Sequence, residues 1–233
     1  MNSFTLTEEI LLELLSSTIN GRTAQIDEEK LKQIDWNKIG WLSSKHAVRL
    51  AVFDAVLPCK KYISSDVYDK WYTYVLKELS NNWRLGTAQK QLHEEICGDC
   101  DYVVLKGVSA AQYYWRPDLR TLGDIDFLID PERLEEVSKK IIACGYEKHS
   151  ENDCHICFLK NDVAIEMHYE IPGIPYGKAG EKVRGFVKNI LQDTKTVTHG
   201  GNVFSSPSDM FNGVILLLHM QHHMVSEGIG LRH

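Results

Sequence analysis

The stretch Arg120-Thr-Leu-Gly-Asp-Ile-Asp-Phe-Leu-Ile-Asp130 decides how this chain is read. From Leu122 to Ile129 it predicts a strand in which Ile125, Phe127 and Ile129 alternate with Asp124 and Asp126, so the apolar and acidic sets lie on opposite faces. Two ionised carboxylates inside an apolar strand would cost on the order of several kcal/mol unless something positive meets them. Spaced i and i+2, they leave one face about 6–7 Å apart at Cα, close enough to share one or two divalent ions. Mg²⁺ is the natural guest, because it takes hard oxygen ligands and keeps positions for water and phosphate, with Mn²⁺ as the alternative. The spacing alone is a weak signal, since the chain offers decoys at Asp99/Asp101 and Glu151/Asp153. Asp130 is set aside, because with Pro131 behind it and Glu132 and Glu135 following it reads as the N-cap of a helix that closes near Gly145.

Upstream, Tyr102-Val-Val-Leu105 is a short β-branched run that ends in Lys106-Gly107-Val-Ser109 and passes into a helix. Glycine at such a junction permits close backbone approach to an anion, and Ser109 adds a hydroxyl, so the turn is a candidate phosphate-binding element. An ordinary tight turn would give the same pattern; its weight comes from preceding the acid strand by one helix. Lys106 and Arg120 either bind phosphate or partner the carboxylates, and Arg120, just before the acid strand, is the preferred phosphate ligand.

Downstream, two strands over Cys154–Leu159 and Val163–Ile171 flank the turn Lys160-Asn-Asp162 and predict a hairpin. In the second strand Val163, Ile165, Met167, Tyr169 and Ile171 share a face, leaving Glu166, His168 and Glu170 on the other. Glu166 is the candidate third acid of a metal site, whereas Glu170 is read as solvent-facing. His168 either orients Glu166, contacts substrate or fills a polar niche.

These motifs carry a resemblance. L-K-G-x-S, then R-x-x-x-D-I-D-F-L-I, then G-Y, then I-E-M-H-Y-E resemble in order and spacing the uncharacterised bacterial nucleotidyltransferase family of the polymerase-β-like superfamily. The similarity extends upstream to Ile34-Asp-Trp36 and the helix with His46, and downstream to the His-rich helix and Gly-Ile-Gly-Leu-Arg, covering most of the chain. It implies an α+β fold: a nucleotidyltransferase core with a mixed sheet, preceded by a helical N-terminal region and followed by helices. It also implies that Gly107 and Ser109 steady a nucleoside triphosphate while Asp124, Asp126 and Glu166 hold two Mg²⁺ ions. The superfamily's usual Gly-Ser or Gly-Gly pair is interrupted here by Val108.

The expected division is a helical region over 1–97, the core over 98–205 and the start of a C-terminal helical region over 206–233. Thr5 and Glu8 form a capping box before Ile10-Leu-Leu-Glu-Leu-Leu15, helical spacing runs through Ile39, Leu42, Val48, Leu50 and Val52 to a break at Pro58, and Val67–Ile96 is helical with Trp71, Tyr74, Val75 and Leu79 as a core stripe. A polar helix over Glu181–Leu191, a hairpin turning at His199-Gly-Gly201 and a helix begun by Ser206-Pro207-Ser-Asp209 follow. The last residues, Gly228 to His233, show no polar tail, so the native chain is expected to continue.

A net charge of -6, from 26 basic and 32 acidic residues, argues against a duplex-coating DNA-binding protein. The N-terminus lacks a basic leader and no apolar run approaches the roughly 18 residues of a membrane span, so a cytoplasmic protein with six reduced cysteines is expected. Cys97-x-x-Cys100 with Cys154-x-x-Cys157 could suggest a four-cysteine zinc site, but Cys154 and Cys157 in a strand would point to opposite faces and no glycine or proline makes a knuckle between them, so buried free thiols are the default. His219, His222 and His223 share a helix without an H-E-x-x-H pattern; His223, like His168, is a candidate substrate contact. The resulting expectation is Mg²⁺-dependent transfer of a nucleoside monophosphate from an NTP to an acceptor (a small molecule, a protein or an RNA end) with release of pyrophosphate. The alternatives are a nucleotide-binding or regulatory protein of the same fold without turnover and a zinc-stabilised interaction module.

Overall fold

The computed structural model describes residues 4–98, 100–226, 228 and 230–232. The decoy acid Asp99 and, in the terminal run, Ile229 and His233 lie outside the described residues. The chain forms two compact units. One takes Met1–Asn82, Tyr113–Thr121 and Gly230–His233, and the other Trp83–Gln112 and Leu122–Ile229.

The first unit is helical: α1 (Leu6–Ile19), α2 (Glu28–Gln33), α3 (Trp36–Lys45), α4 (Arg49–Val56) and the start of α5 (Ser65–Ile96). The first three starts carry polar caps of the kind that satisfy free amide donors. Thr5 and Glu8 form the expected capping box on α1, and Asp27 and Asp35 accept from backbone amides at the starts of α2 and α3. Pro58 falls in a 3₁₀ turn over Leu57–Tyr62 that ends α4. The core collects Leu14, Ile39, Val52 and Val56, none of them exposed, around Trp36 and Trp71, whose rings meet edge to face at 6.4 Å. The expected core stripe of α5 is corrected here. Trp71 and Val75 are buried, but Tyr74 and Leu79 are 40% and 39% exposed, because only one edge of this long helix meets the helical core.

The second unit is built on a five-stranded sheet of order β1-β2-β5-β4-β3, from β1 (Tyr102–Leu105), β2 (Ile125–Ile129), β3 (Glu147–Glu151), β4 (His155–Lys160) and β5 (Val163–His168). The β2–β5 pair is parallel and the others antiparallel, which makes the sheet mixed. Asn161 and Asp162 both have positive φ in the β4–β5 turn, the backbone a tight hairpin needs. β3 escapes a pattern search because Glu-Lys-His-Ser-Glu is polar and exposed throughout; it is an edge strand held through β4.

The alternation read from the sequence sorts the faces. Ile125, Phe127 and Ile129 of β2 and Val163, Ile165 and Met167 of β5 join one core with Leu92 and Ile96 of α5 and with Val137 and Ile141 of α7 (Leu134–Ala143). On the opposite face Val103, Leu105 and Leu128 pack with Val187 of α8 (Gly177–Val187) and with Phe211, Ile215 and Leu218 of α9 (Asp209–Ser226). Asp126 and Glu166 lie on that second face. A separate hairpin of β6 (Thr194–His199) and β7 (Asn202–Pro207) turns at Gly200-Gly201, both at positive φ. Among the described residues no helix is long and apolar enough to cross a membrane.

Candidate active site

Strand pairing assembles the acids. In the β2–β5 register Asp126 stands opposite Glu166, and in the β1–β2 register it stands opposite Leu105. Asp124 lies one residue ahead of β2, so the expected strand from Leu122 is shorter than read. Beyond Leu105, which stands opposite Asp126, β1 turns away into α6 (Gly107–Ala111), and the pairing of β2 with β5 begins at Ile125. The expected strand to Ile171 likewise stops at His168, and the amides of Tyr169 and Glu170 donate instead to the carbonyl of Cys154. One oxygen from each of Asp124, Asp126 and Glu166 lies within 4.8 Å of the others, so the three acids converge as the sequence pattern suggests.

Asp126 is 2% exposed, and its charge is met from two sides. Lys106 Nζ lies 2.6 Å from Oδ1, and His168 Nε2 lies 3.0 Å from the same oxygen. His168 Nε2 is also 3.4 Å from Glu166 Oε2. Burial pushes the Asp126 carboxyl up, yet Lys106 and His168 outweigh it and hold the group well below the usual carboxylate range. Burial works against the Lys106 charge, but Asp126, Asp124 and Glu166 more than offset it and raise the ammonium pKa. His168 behaves alike: burial lowers it, and the bonds to Asp126 and Glu166 carry it above the ordinary value. The set is a buried alternation of cations and carboxylates in which each charge depends on its neighbour.

Lys106 reaches this position from a strained backbone. Its φ of +45° is one that side chains other than glycine rarely adopt, and Gly107 follows at +35°. A Cβ on Gly107 would find only the Asp124 carbonyl, at 3.9 Å, so the turn is open over the acids. Ser109 is fully buried; its Oγ lies 2.6 Å from Ser206 Oγ and accepts a 2.9 Å bond from Asn212 Nδ2. Its hydroxyl therefore pins the turn to β7 and α9 from within.

The remaining candidates are not among the converging acids. Arg120 belongs to the helical unit, is 7% exposed, and accepts a 2.9 Å bond from Asn82 at its carbonyl. Glu170 pairs with Arg184 at 3.4 Å, in keeping with a surface role. His219, His222 and His223 lie on α9, the rings of His219 and His223 4.3 Å apart. Neither group of candidate ligands among the described residues includes them, and neither includes a cysteine. No disulfide joins the six cysteines, and among the described residues no cysteine belongs to a group that could hold a metal ion, so no four-cysteine zinc site is assembled there.

His155 is the residue the sequence reading missed. It forms a second candidate group with Glu166 and His168. The signal was available in the hairpin: counting back from Lys160 opposite Val163 sets His155 opposite His168.

No curated protein and no solved structure matches the chain. The converging acids on a mixed sheet agree with a family model that matches residues 32–233, and the chain belongs to that family, the uncharacterised nucleotidyltransferases.

Proposed function

We propose that this protein is a Mg²⁺-dependent enzyme that moves a nucleoside monophosphate from an NTP to an acceptor hydroxyl or related nucleophile, with release of pyrophosphate. The observation that carries this reading is the convergence of Asp124, just ahead of β2, with Asp126 and Glu166 on the adjoining strands β2 and β5. Three hard oxygen donors within 4.8 Å suit Mg²⁺, with Mn²⁺ as a substitute, and would hold one or two such ions. When bound, Mg²⁺ supplies neutralisation of phosphate charge and polarisation of the reacting oxygens.

The chain's own groups prepare that site. Lys106 and His168 keep Asp126 ionised and fixed through Oδ1. Gly107 gives the triphosphate access to the turn's amides, and Ser109 keeps the turn in place. Arg120 is assigned to phosphate charge, and His168 and His223 to the acceptor side. The acceptor class, whether a small molecule, a protein or an RNA end, follows from none of these contacts. A cytoplasmic setting, where NTPs are at hand, belongs to the same reading.

A second reading, nucleotide binding without turnover, is favoured by the inward-facing Ser109 hydroxyl, which leaves the turn without a side-chain ligand for phosphate. Calorimetric titration with each NTP and Mg²⁺, run beside a pyrophosphate-release assay over an acceptor panel, separates the two. The transferase reading expects release that falls at least about a hundredfold in Asp124→Asn. Tight binding with no release from any acceptor selects the silent protein instead.

A further inference from the structure

The register that sets Asp126 beside Glu166, and that of the hairpin next to it, also bring two imidazoles to Glu166. His155 and His168 are cross-strand partners on β4 and β5, with ring centres 4.9 Å apart. His155 Nε2 lies 3.9 Å from Glu166 Oε1, and His168 Nε2 lies 3.4 Å from Oε2. One ligand atom from each of the three residues falls within 4.8 Å of the others. Ligands of one tetrahedral ion at Zn–N distances stand about 3.4 Å apart, so little movement is needed to close this set on a single cation.

We propose that His155, Glu166 and His168 form a second cation position, built for a transition-metal dication of the Zn²⁺, Co²⁺ or Mn²⁺ class and sharing Glu166 with the carboxylate site. This deepens the transferase reading and rests on it for the role of Glu166. The two positions differ in chemistry. Asp124, Asp126 and Glu166 offer only hard oxygens, whereas the second set offers two nitrogens and one oxygen, a mixture that suits transition ions and that Mg²⁺ seldom accepts. The two also differ in access. The His155 and Glu166 side chains are 20% and 25% exposed while His168 is 1% exposed, so an ion enters past His155 and is anchored by His168. Three protein ligands at the edge of solvent leave a coordination position for water or a phosphate oxygen, the arrangement of catalytic rather than structural zinc sites. An ion here also takes over part of what His168 now does for Asp126, since a dication bound to His168 Nε2 displaces the bond between that nitrogen and Asp126 Oδ1.

The test uses the full chain stripped with a chelator, with Co²⁺ as a spectroscopic probe and Zn²⁺ and Mg²⁺ followed by calorimetry. Transition ions bind most oxygen sites more tightly than Mg²⁺ does, so the diagnostic is the effect of a variant rather than raw affinity. His155→Ala is expected to weaken Co²⁺ and Zn²⁺ binding about a hundredfold and to remove the visible bands of nitrogen-ligated Co²⁺, while Mg²⁺ affinity stays unchanged. Asp124→Asn is expected to do the reverse. His155→Gln, close in size and checked by circular dichroism, guards against misfolding as the cause. Unchanged Co²⁺ affinity in both His155 variants, or an equal loss for Co²⁺ and Mg²⁺, overturns the proposal. Its failure is separable from that of the transferase reading: His155-dependent Co²⁺ bands in a protein that releases no pyrophosphate keep this site and remove the activity. Pyrophosphate release with Mg²⁺ beside His155 variants that bind Co²⁺ normally does the opposite.

Discussion

In the helical unit Glu13 accepts two hydrogen bonds from Arg22, at 2.5 and 2.8 Å, with both side chains in contact with solvent. In the sheet unit Lys106 meets Asp126 at 2.6 Å with side chains only 11% and 1% exposed. Both are close ion pairs, and their energetics differ in kind. A surface pair adds a little and costs little to lose, whereas a buried pair has given up the hydration of two charges and is repaid only while both partners stay. The buried polar groups of the helical unit include the small hydroxyls Ser17, Thr18 and Ser43, which donate to nearby carbonyls, and one charged side chain, Arg120. Those of the sheet unit include Lys106, Asp126 and His168. An apolar replacement would fill that space as well, so the charges there point to chemistry rather than to stability.

The largest expected effect follows from breaking the buried pair on one side only. Asp126→Ala removes the buried carboxylate that Lys106 and His168 share, leaving them only Asp124 and Glu166, and should destabilise the protein by about 3–5 kcal/mol, read as a lowered urea midpoint. Replacing both partners, as Lys106→Met with Asp126→Leu, should return stability close to that of the parent while Mg²⁺ binding stays abolished. If the double variant is as unstable as the single one, the pair is structural, and the contrast between the two units collapses.

Much of this contrast was legible in the sequence, for a physical reason. Strand alternation is a local property, so Asp124 and Asp126 among Ile125, Phe127 and Ile129 could be sorted to one face before any partner strand was known. Glu166 was legible for the same reason. What was not legible depends on pairing at a distance. His155 needs the β4–β5 register counted back from the hairpin turn, a step beyond the alternation within one strand, and the inward turn of Ser109 is set only once Ser206 and Asn212, 97 and 103 residues later, close over it. The polar strand β3 gives no alternation to read, because an exposed edge has no buried face to specify. The compact units likewise draw on separated stretches such as Tyr113–Thr121, which a reading along the chain has no means of joining.

A smaller effect is expected from the helical core. Gly40 lies against the Trp71 indole so closely that a methyl group would overlap the ring. Gly40→Ala must therefore push Trp71 from its place beside Trp36 and Phe53, at a cost of about 1–3 kcal/mol. Thermal unfolding should show the loss, while calorimetric Mg²⁺ affinity remains that of the parent. A parallel loss of ion binding would mean that the two units do not divide stability and chemistry as argued.

The smallest effect concerns the surface pair and carries a definite sign. The bonds from Arg22 and from the Gln25 amide lower the Glu13 pKa from the ordinary 4.5 to about 2. Because the folded value lies below the unfolded one, the contribution is complete above the unfolded pKa and is lost as pH falls through the window between 4.5 and about 2. The Arg22 side chain is 40% exposed, so solvent screens the pair, and the shift overstates its worth; exposed pairs of this kind contribute about 0.2–1 kcal/mol. Glu13→Gln should accordingly lower the unfolding midpoint slightly near neutral pH, and the gap to the parent should close as the buffer is taken down through that window. High salt should shrink the gap at neutral pH as well, since both side chains reach solvent. The buried pair should respond to neither in the same range, because Lys106 and His168 hold Asp126 ionised well below the usual carboxylate range. A Glu13→Gln gap that stays constant with pH and salt would show that packing, not charge, is what this surface pair supplies.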